Sequence, residues 1–473
     1  MIGVERTSPA FWFPAALCVA AGSRLWAFAT YPVPAFPDSQ GYLSYAQRIL
    51  TDPSIWHRMG PEPLELSGLR TIGYPALLAL AQWFSGDEGL VLVQILQCVV
   101  FVLACVFLFR AGHALTRSAP AAFLAVAGTA VGYGVTYDLA ILPDSLGISA
   151  WIALAALGSL MVQDRRRAGA GAFLVCGILL LGMTALRGNG LHMGLLLLPL
   201  FVLAAWRRIP TWLGRLGALA GFLLPAILFQ AAIMQWNHYR TGEYFYSSGG
   251  VLALMQPVQR MQASDPSVVE GPGELRALMR ELNPRGEYAP LYEVAREMAI
   301  RHGMTAPQVQ AAALSLLKET VRDHPAAFAR VFLRNFDDKF AQGLINPALG
   351  LNEAHFLLTD RRVFPGFSRL VKGQAEGLTD WAYTVIYALG IAVSLILFLG
   401  ALSIPAQLLW RWRDNVDGVR ATVLLCLWFA VFGGLAYYCA LFMELRYVVM
   451  FQPWTILLGC IALRFRRGRI GEL

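Results

Sequence analysis

RTIGYPALLALAQWF, residues 70–84, is the stretch on which the topology turns. Its apolar part is shorter than the roughly 20 residues a helix needs to cross a hydrocarbon core of about 30 Å. Counted as a span, it throws the later basic clusters onto alternating faces of a membrane. Counted as a helix lying at the outer surface, it leaves all of them on one side. Those clusters are Arg110 with Arg117, the three arginines 165–167, Arg207 and Arg208 with Arg215, the run from Arg411 to Arg420, and Arg464 to Arg469. Basic residues concentrate on the cytoplasmic face, so parity decides for the surface helix.

That argument presupposes a membrane, and composition supplies it. The chain has 473 residues, of which 57% are hydrophobic and 14% charged, with mean hydropathy +0.54. A soluble domain carries about a quarter charged residues. Helices satisfy their own backbone in lipid, so repeated long apolar runs indicate an all-α polytopic membrane protein. Ten spans are expected, near 9–30, 89–110, 118–135, 145–163, 169–186, 191–206, 214–235, 380–409, 420–440 and 446–463. Both termini then lie in the cytoplasm. The first apolar segment lacks a small-residue cleavage site and reads as a retained helix. The net charge of +8 follows from the cytoplasmic clusters and does not argue for nucleic acid. All seven cysteines fall in apolar runs, which predicts no structural disulfide and no cysteine metal site.

Three regions follow: residues 1–235 with the first and second outer loops, a hydrophilic block 236–379 facing outside, and the closing spans 380–473. Within the block, Thr305 caps a helix with Pro307 in its first turn, and Val309, Ala313, Leu316 and Leu317 mark one apolar face. His324-Pro325 interrupts, and Phe328, Val331 or Phe332, Phe336 and Phe340 then recur at helical spacing. A small helical domain resting on the membrane portion is expected, with 264–274 as a loop.

The outer loops hold the residues of chemical interest. Asp38 follows the first span, and Asp138 and Asp144 lie in the second loop. A carboxylate there can act as a general base, ligate a divalent cation, or simply cap a helix. Arg187, between two spans, and Arg446, beside Glu444, can grip phosphate oxygens, or else snorkel or form internal ion pairs. Arg24 and Arg240 read as snorkelling or loop residues. The aromatic share, 12%, is mainly an interfacial belt.

Five stretches in order give a family resemblance: PDSQGYLSYAQ (37–47), RTIGYPALLAL (70–80), LPDSLGISAW (142–151), LRGNGLHMGLLLLP (186–199) and ELRYVVMFQPW (444–454). Together they resemble the glycosyltransferase-C superfamily, in particular bacterial members akin to protein mannosyltransferases and the lipid A aminoarabinose transferase. The resemblance implies a bundle of about ten transmembrane helices. It also implies transfer of a sugar from a polyprenyl-phosphate-linked donor to an envelope glycan, lipid or protein on the outer face of the inner membrane. It assigns Asp38 as the catalytic base and Asp144 as the second-loop acid, with Asp138 as competitor or metal ligand. Arg446 and Arg187 would hold the donor phosphate. The second-loop acids stand six apart, unlike the tight doublets of some branches, which leaves a divalent cation open. Another lipid-linked glycan enzyme (ligase or polymerase), a transporter or flippase, and a non-catalytic assembly subunit are the rival readings. Acids gathered at outer edges, with no pair of matching halves, weigh against a transporter.

Overall fold

The computed structural model describes residues 9–30, 36–56, 70–132, 134–164, 169–287, 290–336, 377–410, 418–441 and 445–466. Helix length divides the apolar segments into two groups. Five helices are long and apolar enough to cross a membrane: α1 (Pro9–Thr30), α4 (Gly89–Thr116), α7 (Asp144–Gln163), α11 (Trp212–Thr241) and α19 (Gly418–Ala440). The numbering between them is filled by α2 (Pro37–Thr51), α3 (Gly73–Ser85), α5 (Ala119–Ala130), α6 (Gly134–Leu139), α8 (Ala170–Leu186), α9 (Gly190–Leu195) and α10 (Leu198–Arg208). Then come α12 (Gly250–Ser264), α13 (Glu274–Leu282), α14 (Pro290–His302), α15 (Ala306–Asp323) and α16 (Pro325–Asn335). The chain closes with α17 (Gly377–Leu402), α18 (Ile404–Trp410), α20 (Leu445–Val448) and α21 (Gln452–Arg466) around α19. Among the described residues there is no strand, so the chain is an all-α, multi-pass membrane protein.

Each of the ten expected spans carries helix, but not ten uninterrupted ones. Four are broken: 118–135 between the end of α5 at Ala130 and the start of α6 at Gly134, and three others just before a proline. The segment 191–206 splits into α9 and α10 ahead of Pro199, and 446–463 splits into α20 and α21 ahead of Pro453. The apolar part of α17 bends 49° into α18 ahead of Pro405. Proline removes a backbone donor and its ring clashes with the preceding turn, so a helix ends there or restarts. Helices α5 and α8 are continuous but short, at 12 and 17 residues.

Helix α7 sits at the centre of the bundle, with 94% of its apolar window buried against α4, α8, α10 and α19. Trp151 is fully enclosed there, its ring edge-on to Phe451 at 5.1 Å and its indole N–H donating to the Met193 carbonyl at 3.1 Å. The surface helix expected over 70–84 is α3, thirteen residues long, packed on α2 and α4. It buries Tyr74 and Leu78 completely and leaves Leu80, Trp83 and Phe84 exposed. That one-sided distribution suits a helix at an interface rather than across it.

Helices α12 to α16 share a separate apolar cluster that includes Val251, Met255, Met279, Val294 and Val331. The expected cap is in place: Gln308 Oε1 accepts from the Thr305 amide at 2.8 Å, and Val309, Ala313, Leu316 and Leu317 all face inward. His324 ends α15, and Pro325 opens α16. Asn335 at the end of α16 donates to the Cys439 carbonyl of α19 at 2.7 Å, tying this unit to the bundle. The 264–274 stretch contains one short 3-10 turn, Pro266–Val269. Phe340 lies outside the described residues.

Candidate active site

The carboxylate of Asp38 is not a helix cap. Phe36 occupies the cap position, Pro37 takes the first helical position, and Asp38 is the second residue of α2. A proline suits that slot because the missing N–H would be unsatisfied there anyway. With helical backbone, Asp38 projects from the first turn, where the helix dipole favours negative charge. Its Oδ1 lies 3.0 Å from Arg70 Nη2, and the carboxylate remains 38% exposed. Asp144 repeats the arrangement. Pro143 holds the cap position, Asp144 is the first residue of α7, and its Oδ1 lies 2.9 Å from Arg187 Nη1. This second pair is buried, at 4% exposure for the acid and 9% for the arginine.

Both acids sit in the same five-residue string, Pro-Asp-Ser-X-Gly, at 37–41 and again at 143–147. The glycine has a steric purpose. A Cβ on Gly41 would stand 2.8 Å from Arg70 Nε, and one on Gly147 would stand 2.7 Å from Arg187 Cδ. Each arginine therefore lies across the bare backbone one turn beyond its carboxylate.

The two pairs belong to one neighbourhood. Thr71, next to Arg70, touches the space beside Gly188, next to Arg187, and Gly73 abuts the Ala185 carbonyl at the end of α8. Tyr42 fills the gap: its ring carries the Arg70 guanidinium at 4.2 Å and meets Tyr74 edge-on at 5.3 Å. Burial pushes the Tyr42 phenol above its ordinary pKa. Arg70 pulls it back, and the carboxylates of Asp144 and Asp38 add to the rise. The Arg70 guanidinium is held above its ordinary value despite burial, through Tyr42 and then Asp38. On the other side, the Arg187 guanidinium lies 4.8 Å from the Tyr447 ring, which stacks on Tyr438 at 4.6 Å. Asn189 donates to the Tyr438 hydroxyl at 2.8 Å. The segment after α11 closes this end, with Tyr246 donating to the Thr184 carbonyl at 2.5 Å.

The site candidates thus separate. Asp38, Asp144 and Arg187 come together. Arg446 shares α20 with Tyr447, but its side chain lies outside the described residues, as does Glu444. Asp138 faces elsewhere: its Oδ2 binds Arg24 Nη2 at 2.7 Å, with exposures of 3% and 2%. Arg24 is accordingly neither snorkelling nor in a loop. Arg240 is likewise fully buried, its guanidinium 3.9 Å from the Trp236 ring and 2.8 Å from Asn237 Oδ1. In both cases an internal acceptor outcompetes the trip to water, because a buried guanidinium needs a partner.

The residues most easily missed in the sequence are Arg70 and Arg24, the partners of the first and third acids. The duplicated Pro-Asp-Ser-X-Gly string was the available signal for the first. As for a divalent cation, no three His, Cys, Asp or Glu side chains converge among the described residues. Each of the three acids meets a guanidinium.

No family model matches the chain, and no curated protein does. Among solved structures, the oligosaccharyltransferase AglB from the archaeon Archaeoglobus fulgidus, in complex with an inhibitory peptide and a dolichol-phosphate, aligns at 14% identity and TM-score 0.48. That alignment covers 98% of this chain and 52% of the archaeal one, so the chain spans about half that protein's length. ArnT from Cupriavidus metallidurans aligns at 11% identity and TM-score 0.32 in the apo state, covering 94% of this chain and 77% of that one. Bound to undecaprenyl phosphate, it aligns at 13% identity and TM-score 0.33, covering 97% and 78%.

Proposed function

We propose that this chain is a membrane glycosyltransferase that moves a sugar from a polyprenyl-phosphate-linked donor to an acceptor hydroxyl or amine of the cell envelope, on the outer face of the membrane. The observation that supports it most is the paired arrangement at 37–41 and 143–147: two carboxylates of unequal exposure, each set by an arginine, within one neighbourhood.

The inequality supports a division of roles. Asp38, the more exposed acid, faces the aqueous side from which an acceptor arrives and takes the acceptor's proton. The acceptor heteroatom bonds to the anomeric carbon while the bond from that carbon to the phosphate oxygen breaks. The phosphate leaves carrying the electron pair of that bond. Arg187, buried and fixed by Asp144 and the Tyr447 face, meets the charge growing on that phosphate, with Arg446 as its partner in the sequence reading. Fixed cations in a water-poor site stabilise such charge far better than solvent does. A single displacement of this kind inverts the anomeric configuration. The lipid tail of the donor runs between helices, which keeps the phosphate at the boundary where Arg187 stands. Both termini then lie in the cytoplasm, as the basic clusters require.

The test is mass spectrometry of envelope glycans and lipid-linked sugars from cells with and without the gene. Accumulation of one polyprenyl-linked sugar with loss of one envelope glycan is expected. Unchanged envelope chemistry overturns the proposal.

A further inference from the structure

We infer that Asp138 is a positioning residue: the buried chain Arg24–Asp138–Ser145 fixes the direction in which Asp144 points. This rests on the proposed function only in taking the Asp144–Arg187 pair as the phosphate side of the site.

Arg24 is held from every side within the bundle. Its Nε and Nη2 reach Asp138 Oδ2 at 2.8 and 2.7 Å, and Nη1 donates to Ser23 Oγ at 3.0 Å and to the Ala130 carbonyl. Its guanidinium also covers the Phe101 ring at 3.5 Å. Asp138 uses its other oxygen, Oδ1, to accept from the Ser145 hydroxyl. Ser145, 1% exposed, is the neighbour of Asp144 in the first turn of α7. One strand of contacts thus runs from α1 to the residue beside the acid.

The turn between Asp138 and Asp144 is fixed by a second set. Gln97 of α4 donates to the carbonyls of Asp138 and Ala140, each at 2.9 Å, and Gln94 donates to the Leu139 carbonyl. Gln97 is itself oriented by the Tyr74 hydroxyl, which donates to its Oε1 at 2.9 Å. Tyr74 belongs to α3, the helix that follows Arg70. The backbone leading into Asp144 is therefore gripped by α1, α4 and, through Gln97, α3.

A buried ion pair is a poor way to gain stability, since apolar packing of the same volume usually does as well or better. Its known use is to select one arrangement over others. Here that arrangement points Asp144 at Arg187, whose side chain crosses Gly147 to meet it. Removing Asp138 outright would strand Arg24, so the informative change is Ser145→Ala, which cuts the tether and leaves both charges paired. Ser145→Thr keeps the hydroxyl.

In lipid nanodiscs, Ser145→Ala is expected to weaken binding of undecaprenyl phosphate, read by native mass spectrometry, about tenfold. Ser145→Thr is expected to restore it. Both variants should fold, with the melting temperature of Ser145→Ala lowered by the hydrogen bond that the buried Asp138 carboxylate loses. A cryo-EM map of Ser145→Ala should show the Asp144 carboxylate turned away from Arg187. Parent affinity in Ser145→Ala, or an Asp144–Arg187 pair still closed in that map, overturns the inference. A parent protein that does not bind undecaprenyl phosphate at all counts against the proposed function, and the map then decides the positioning role by itself.

Discussion

Arg187 lies across Gly147 to place its Nη1 2.9 Å from Asp144 Oδ1, so the ion pair exists because residue 147 has no side chain. Gly147→Ala adds a methyl 2.7 Å from Arg187 Cδ and displaces the guanidinium. The gain of about 1 kcal/mol in helix propensity is outweighed by disturbing a buried ion pair. The expected result is a lowered melting temperature in a protein that still inserts and folds, with phosphate binding reduced at least about tenfold. Gly41→Ala should act in the same way on Arg70 and Asp38. A glycine-to-alanine variant that keeps full binding and transfer removes the close approach from the argument.

Asp38→Asn keeps the shape of the side chain and its contact with Arg70 while discarding the basic oxygen. Transfer is expected to fall by about 100-fold or more, the scale of a lost general base. Membrane insertion and melting temperature should stay as they are. Transfer at the parent rate would take Asp38 out of the mechanism.

Arg24→Ala leaves the Asp138 carboxylate uncompensated where only 3% of it meets solvent. The expected destabilisation is about 3–5 kcal/mol, read by thermal unfolding in detergent. The double change Arg24→Gln with Asp138→Asn, which leaves no buried charge, should cost less than either single change. If the double is the worst of the three, the pair is not acting as a compensated charge.

Glu319 on α15 is held below the usual carboxylate range by the Ser315 hydroxyl and by Arg276, at 2.8 and 3.2 Å. A lowered folded pKa means stability that is full above the unfolded value of about 4.3 and lost as pH falls through the folded one. Acidifying should therefore lower the melting temperature of the unit formed by α12 to α16. Ser315→Ala should narrow that fall, and an unaltered acid response in this variant would contradict the assignment.

Much of this architecture is legible in the residues. Apolar runs locate the helices, and the short run at 70–84 yields α3 within one residue of its end at Ser85. Helix continuity is less legible, because Pro199, Pro405 and Pro453 stand inside runs whose hydropathy does not change. Composition windows average over a single missing N–H; the backbone cannot. The acids at 38 and 144 are visible from their place beside the spans. Their roles as caps are not realised, because Asp38 falls two residues and Asp144 one residue beyond the cap position, inside the helix. What a single chain conceals is pairing across distance. Nothing local in Arg24 announces Asp138, 114 residues away, and the charge of Arg24 suggests water until a buried carboxylate is seen to meet it.

Helix α3 leaves Trp83 69% and Phe84 70% exposed while its other face packs on α2, the helix that carries Asp38. Arg70 stands three residues before the first turn of α3, so the Arg70–Asp38 contact is braced by the packing of the two helices and moves only if that packing moves.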